Sequence, residues 1–302
     1  MEGKSIDTEN NTKDDTTEVG SDPKINNDVN AKSHGATVAS IIASPINSGA
    51  GSHLSGFIPG APIYPVKLKD LYEHTMASGI YLAADSPAIV INASLGLPDH
   101  KPISFSPTIG LAIYYATHYN NKPVIIPAGN TKINLDSVQC PTGSTGATNV
   151  YPGCIDYGQV TVGGSDEKGL IWDDGTNGSA YGKAVDLSAS SYYIYSSSFR
   201  PAATNSYGLY YSSGTSLSAP MVAATLGMMK KAGEHLGYNL TSKELRDLVT
   251  YSGSISRSTC TIVNGNCSNA GYETKFLGKN LYNNNINTNL LAGIRELNVY
   301  NA

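Results

Sequence analysis

Val124-Ile125-Ile126-Pro127-Ala128-Gly129-Asn130 is the stretch on which the fold turns. Its first five residues are apolar without a break, as in a strand covered on both faces, and the run stops at Gly-Asn. Gly-Asn forms a turn in its own right. At the carboxyl end of a parallel sheet, however, the Asn130 amide would sit where such sheets place their ligands. Working outward, similar near-continuous apolar runs occur at 63–68, 88–93, 160–163 and 184–187. Helical patterns at 34–43, 71–84 and 106–119 separate the earlier ones. A longer helix is expected over 216–236, stopped by Gly237, and a Thr241-x-x-Glu244 capping box opens another over 242–250. Strands alternating with helices of 10–15 residues predict βαβ units. The expected fold class is therefore α/β, a three-layer sandwich around a mostly parallel central sheet.

The 302 residues carry a net charge of −4, with 31 Gly and 15 Pro, too few and too irregularly spaced for a fibrous chain. No apolar run approaches the ~18–20 residues that span a bilayer, so no membrane span is expected. Lys230-Lys231 is the only adjacent basic pair, which argues against a nucleic-acid partner. The start, Met1-Glu2-Gly3-Lys4-Ser5-Ile6-Asp7, lacks the apolar segment of a signal peptide. Only six of residues 1–33 are apolar, so a mostly irregular polar arm is expected there. Residues 34–302 read as one domain, with an irregular Asn- and Ser-rich part over 253–302. Cys140 with Cys154, and Cys260 with Cys267, lack the spacing of a zinc site and read as two locally closed disulfides. Disulfides imply an oxidising compartment.

Several segments could carry chemistry. Gly214-Thr215-Ser216-Leu217-Ser218-Ala219-Pro220 opens the long helix, with Pro220 expected in the first turn, where a missing N–H is harmless. Ser216 would then lie at a helix N-terminus, whose free N–H groups favour a developing anion. Read alone, the segment is an N-cap. His34 starts another apolar helix, and Gly35 and Ala39 would leave it a surface small enough for a second helix to approach. A serine hydroxyl needs an adjacent base at neutral pH, and histidine is the usual one. His53, His74, His100, His118 and His235 have no comparable setting. Ile91-Asn92-Ala93-Ser94-Leu95-Gly96 ends a strand much as Asn130 does, and Ser94-Leu95-Gly96 could present backbone groups to an extended peptide.

In this order and spacing, the motifs resemble the subtilisin-like serine proteases. The resemblance lies in His34-Gly35-x-x-Val38-Ala39, Ser94-Leu95-Gly96, Ala128-Gly129-Asn130 and Gly214-Thr215-Ser216-x-x-x-Pro220. Gly56 to Ala61 with Val66-Lys67-Leu68, and Tyr151-Pro152 with Val160-Thr161-Val162-Gly163, resemble further family segments. What this implies is a subtilisin-like fold and endopeptidase action through an acyl-enzyme. By resemblance, Ser216 is the nucleophile and His34 the general base. Asn130 and the Ser216 N–H form the oxyanion hole, and Ser94, Leu95, Gly96, Ala128 and Gly129 line the substrate cleft. The triad aspartate falls on Asp7, in Ile6-Asp7-Thr8-Glu9, where Glu9 replaces the family's glycine and only six residues precede the aspartate. Met221 stands where a histidine is common. The same resemblance implies a polypeptide substrate, a secreted or cell-envelope location, a monomer and no catalytic cofactor or metal. Residues 47–55 carry oxygens for a structural calcium but no defined ligand spacing. The competing class is an impaired subtilase fold acting as a peptide-binding or structural module, motivated by the degenerate aspartate region. An α/β-hydrolase is excluded, because no G-x-S-x-G elbow occurs and the histidine precedes the serine.

Overall fold

The apolar run at 124–128 forms a strand whose side chains divide between two buried faces. The structure is a computed structural model and describes residues 6–7, 34–46, 54–68, 71–97, 108–136, 151–200, 206–252, 254–255, 262–263, 266–267 and 295–296. Numbered along the chain, the strands are β1 (Ile6–Asp7), β2 (Val66–Lys67), β3 (Ile91–Asn92), β4 (Val124–Pro127), β5 (Val160–Ser165), β6 (Leu187–Ser190), β7 (Ile194–Arg200), β8 (Ser206–Ser212), β9 (Ser254–Ile255), β10 (Ile262–Val263), β11 (Asn266–Cys267) and β12 (Arg295–Glu296). The helices are α1 (His34–Ala43), α2 (Glu73–Asp85), α3 (Thr108–Tyr114), α4 (Thr215–His235) and α5 (Ser242–Ser252). Strands β3, β4, β5 and β6 pair in parallel in that order; β12 then joins β6 in parallel, and β9 runs antiparallel to β12. The result is the expected α/β sheet flanked by helices.

The two faces follow the period of a strand. Ile125 packs into a cluster with Val160, Val162 and Leu187 of the sheet, Leu217, Val222 and Leu226 of α4, Ile41 of α1, and Leu245 of α5. Its neighbours Val124 and Ile126 turn the other way, onto Met76 and Ile80 of α2 and Ile109 and Ile113 of α3. An ion pair ties α5 to the sheet: Arg246 donates to Asp186 at 2.7 Å and to Asp156 at 2.9 Å. Burial opposes the charged guanidinium, but the two carboxylates outweigh it and raise its pKa above that of an ordinary arginine.

Several elements differ from the reading of the sequence. The strand expected at 184–187 lies later, at Leu187–Ser190. Val185 N–H turns back onto the Gly182 carbonyl, and Asp186 is held sideways by the Thr161 N–H at 2.9 Å. The helix expected over 106–119 ends as a wider π turn at Tyr115–Tyr119, with Asn120 N–H reaching Tyr115 O at 3.2 Å. The antiparallel hairpin β7–β8 was not anticipated. Its Ser- and Tyr-rich strands lack an apolar alternation. Within 253–302, read as irregular, four two-residue strands occur, and two of them extend the sheet. Gly35 lies at no close approach, since a Cβ there would meet nothing within 4 Å. Among the described residues no cysteine is a free thiol. Cys140 and Cys260 lie outside those residues, as does most of 47–55.

Candidate active site

Helix α1 is fixed at both ends. At its carboxyl end, the carbonyls of Ile41, Ile42, Ala43 and Ser44 accept the N–H groups of Phe57, Ile58, Gly60 and Gly56 at 2.8–3.0 Å, satisfying helix-end groups that would otherwise be orphaned. Gly56 is required there, because a Cβ would lie 2.5 Å from the Ser44 nitrogen. Midway along the helix, the Ser40 hydroxyl accepts Ser197 N–H from β7 at 3.1 Å. His34 stands on the exposed first residue, and its Nε2 lies 3.0 Å from the Ser94 carbonyl oxygen.

Helix α4 starts where β4 ends. Gly214 has φ 152°, a region that disfavours side-chain-bearing residues, and its Cα faces the Asn130 amide. Asn130 Oδ1 accepts both the Thr215 N–H at 2.9 Å and the Thr215 hydroxyl at 2.8 Å. That hydroxyl in turn accepts Gly129 N–H at 3.2 Å. With both lone-pair directions of Oδ1 committed, the amide nitrogen is left as the donor end of the Asn130 side chain. Ser216 is the second residue of α4, in the turn whose N–H groups have no intrahelical acceptor. The Leu217 N–H goes to the Gly214 carbonyl at 2.9 Å.

Contrary to the sequence reading, Pro220 is not in the first turn. Helix α4 begins at Thr215, so Pro220 is its sixth residue, and the missing N–H deprives the Ser216 carbonyl, four residues back, of its helical donor. Ser94 supplies the substitute: its hydroxyl donates to the Ser216 carbonyl at 2.9 Å. Behind it, Asn92 Nδ2 donates to Ser94 Oγ at 2.9 Å. The Ser216 hydroxyl donates to the Ser94 carbonyl at 3.4 Å, the same oxygen that His34 Nε2 approaches. Among the described residues, the imidazole and the hydroxyl therefore meet on one carbonyl rather than on each other.

The remaining expected site residues fall around this point. Leu95 and Gly96 continue from Ser94 past the end of β3, and Ala128 and Gly129 continue from β4. Asp7 lies on β1, whose backbone runs parallel to β2 with Asp7 opposite Lys67; its side chain lies outside the description. No group of His, Cys, Asp and Glu suited to a metal occurs among the described residues. Sequence reasoning missed Thr215 and Asn92. Thr215 had a signal, as the second hydroxyl of a Gly-Thr-Ser helix start; Asn92 had only its place after a strand.

A parallel α/β sheet that brings a histidine, a helix-start serine and an oriented amide to the carboxyl ends of β3 and β4 defines a narrow class of protein. The subtilase family profile matches residues 2–273, and the chain belongs to that family. It is 29% identical over 217 residues to thermitase of Thermoactinomyces vulgaris, covering 68% of this chain and 63% of thermitase. It is also 29% identical over 206 residues to a thermophilic serine proteinase of Bacillus sp. (strain AK1), covering 67% of this chain and 43% of that protein. The chain thus spans less than two thirds of either relative. Among solved structures, a protease of Pseudoalteromonas arctica superposes with a TM-score of 0.62 at 27% identity, over 77% of this chain and 67% of that one. The prenylagaramide maturation protease PagA shares the fold, with a TM-score of 0.59 at 18% identity, over 89% of this chain and 80% of its own. No described helix is long and apolar enough to cross a membrane.

Proposed function

We propose that the protein is a serine endopeptidase that cleaves polypeptides through an acyl-enzyme on Ser216. The observation that carries this reading is the meeting of His34 and Ser216, 182 positions apart in the chain, on the Ser94 carbonyl. Ser216 attacks the scissile carbonyl; His34 takes its proton and later returns it to the leaving amine. The oxyanion is received by Asn130 Nδ2 and the Ser216 N–H, the one aimed by Thr215 and the other free at a helix start. Asp7 holds the imidazole from behind, a role supported by its place on a strand parallel to β2. Substrate extends along Ser94, Leu95 and Gly96 on one side and Ala128 and Gly129 on the other.

The resting geometry adds a step. A carbonyl oxygen only accepts, so His34 Nε2 carries its proton while it rests on Ser94 O and cannot act as a base from there. A substrate N–H pairing with that carbonyl displaces the imidazole and the hydroxyl; the Nε2 proton passes to solvent and the ring hydrogen moves to Nδ1, after which Nε2 accepts from the Ser216 hydroxyl. Export and the Cys140–Cys154 and Cys260–Cys267 pairings belong to the same reading, supported by the local spacing of each pair in the sequence. The test is labelling by a fluorophosphonate probe, mapped by peptide mass. Modification of Ser216 in folded protein is expected, and folded protein that stays unlabelled overturns the proposal.

A further inference from the structure

We propose that Asn92 is a positioning residue for the nucleophile, acting through the Ser94 hydroxyl on the Ser216 carbonyl. This rests on the assignment of Ser216 as nucleophile and extends it to a residue with no assigned role. Three observations combine. First, Pro220 leaves the Ser216 carbonyl without a helical donor, and that carbonyl belongs to the residue whose side chain must attack. Second, the Ser94 hydroxyl fills the gap at 2.9 Å from a buried position, 5% exposed. A hydroxyl has one hydrogen. With that hydrogen on Ser216 O, the 2.9 Å contact from Asn92 can only be an amide N–H donating to Ser94 Oγ, which fixes the orientation of the Asn92 amide. The two bonds run in one direction, amide to hydroxyl to carbonyl, so each polarises the next.

Third, the amide orientation leaves Asn92 Oδ1 buried with no hydrogen-bond partner. A buried acceptor without a partner is unfavourable, so Asn92 is a poor choice for stability alone. Its donor arm, however, reaches the one group that holds the nucleophile's peptide plane. The same residue, Ser94, offers its backbone oxygen to His34 and to the Ser216 hydroxyl. Fixing the Ser94 side chain therefore sets where the nucleophile pivots relative to the imidazole. Small misplacements of a reacting atom slow chemistry far more than binding.

The experiment compares full-length variants by their rate constant for acylation by a fluorophosphonate, with thermal midpoints measured in a Ser216→Ala background to prevent self-digestion. Asn92→Ala and Ser94→Ala are expected to slow acylation about tenfold to hundredfold, the range below loss of an oxyanion donor. The midpoint should stay within about 2 °C of the parent. Ser94→Thr, which keeps the hydroxyl, should recover most of the rate. The decisive comparison is Asn92→Ala in a Pro220→Ala background. Alanine at 220 returns the helical N–H to the Ser216 carbonyl, so the loss from Asn92→Ala should shrink severalfold there. An equal loss in both backgrounds, or Asn92→Ala labelling at the wild-type rate, overturns the proposal. If Pro220→Ala does not fold, the contrast between Ser94→Ala and Ser94→Thr decides: equal slowing in both overturns it. A wild-type protein that does not label at all refutes instead the assignment of Ser216 on which this rests.

Discussion

The two faces of the sheet are packed alike and built differently. On the side of α2 and α3, the largest fully buried side chains are apolar, the buried Thr117 hydroxyl bonds back to the Ile113 carbonyl at 2.8 Å, and close approaches are side chain against glycine. Leu68 lies over Gly79, and the Tyr157 ring lies over Gly110. On the side of α4, an equally buried core coexists with hydroxyls bonded to carbonyls and amides: Thr215 to Asn130, Ser218 to the Ser190 carbonyl, and Ser94 to the Ser216 carbonyl. The difference arises where the helices begin. Helix α4 starts at the carboxyl ends of β3 and β4 and turns its free N–H groups toward the strand ends, whereas α2 and α3 meet the sheet through their flanks. Burial alone therefore does not mark the functional face; polar side chains that join a helix start to the strand ends do. Substitutions at the polar strand-end contacts of α4 should change rate more than stability, and those in the apolar core on the α2–α3 face the reverse.

The largest expected effect lies at the crossing point. Ser216→Ala should abolish fluorophosphonate labelling, and His34→Ala should lower peptide hydrolysis roughly 10⁶-fold, a magnitude carried over from the family's triad. The comparison of faces fails if either variant keeps a tenth of wild-type activity. Next comes Asn130→Leu, which removes one oxyanion donor and should lower kcat about 10²–10³-fold with little change in KM. An unchanged kcat would show that the Thr215-oriented amide does not face the developing charge. On the opposite face, Ile113→Ala removes a side chain that is 0% exposed. It should destabilise the fold by about 2–5 kcal/mol. Chemical denaturation of the Ser216→Ala protein measures that, while acylation of the variant below its melting range should match wild type. A rate loss as large as that of Asn92→Ala would erase the distinction between the faces.

What could be read from the sequence was whatever depends on near neighbours. The run at 124–128 declared a strand buried on both sides because no polar residue interrupts it, and 34–43 matches α1 at both ends. His34, Ser216 and Asn130 stood out because each follows or opens an element whose type was plain. The Asn92–Ser94–Ser216 chain was not legible, since it joins residues 122 positions apart and depends on a carbonyl that Pro220 frees only when the helix starts at Thr215. Hairpin β7–β8 was missed for a different reason. Strands such as Ile194-Tyr195-Ser196-Ser197-Ser198 carry small polar residues on positions that a periodicity argument needs to be apolar, and a hydrogen bond from Ser197 N–H to the Ser40 hydroxyl joins β7 to α1.

The smallest effect tests the edge of the α4 face, where α5 is docked. Thr241 and Glu244 form the expected capping box: Thr241 N–H donates to Glu244 Oε2 at 2.8 Å, and Glu244 N–H donates to the Thr241 hydroxyl at 3.2 Å. The bond from the Thr241 backbone, reinforced by that from its hydroxyl, holds the Glu244 carboxyl below its ordinary value of 4.5. A carboxyl whose pKa is depressed by folding contributes stability above its unfolded pKa and loses it as pH falls through the folded value. Glu244→Ala should therefore lower the thermal midpoint slightly at pH 7, and the gap from wild type should close as the pH falls below about 4.5. The measurement is a series of melts across that range in the Ser216→Ala background. The Arg246–Asp186 pair is common to both proteins, so a gap that stays constant as the pH falls would show that the Glu244 charge contributes nothing to the docking of this helix.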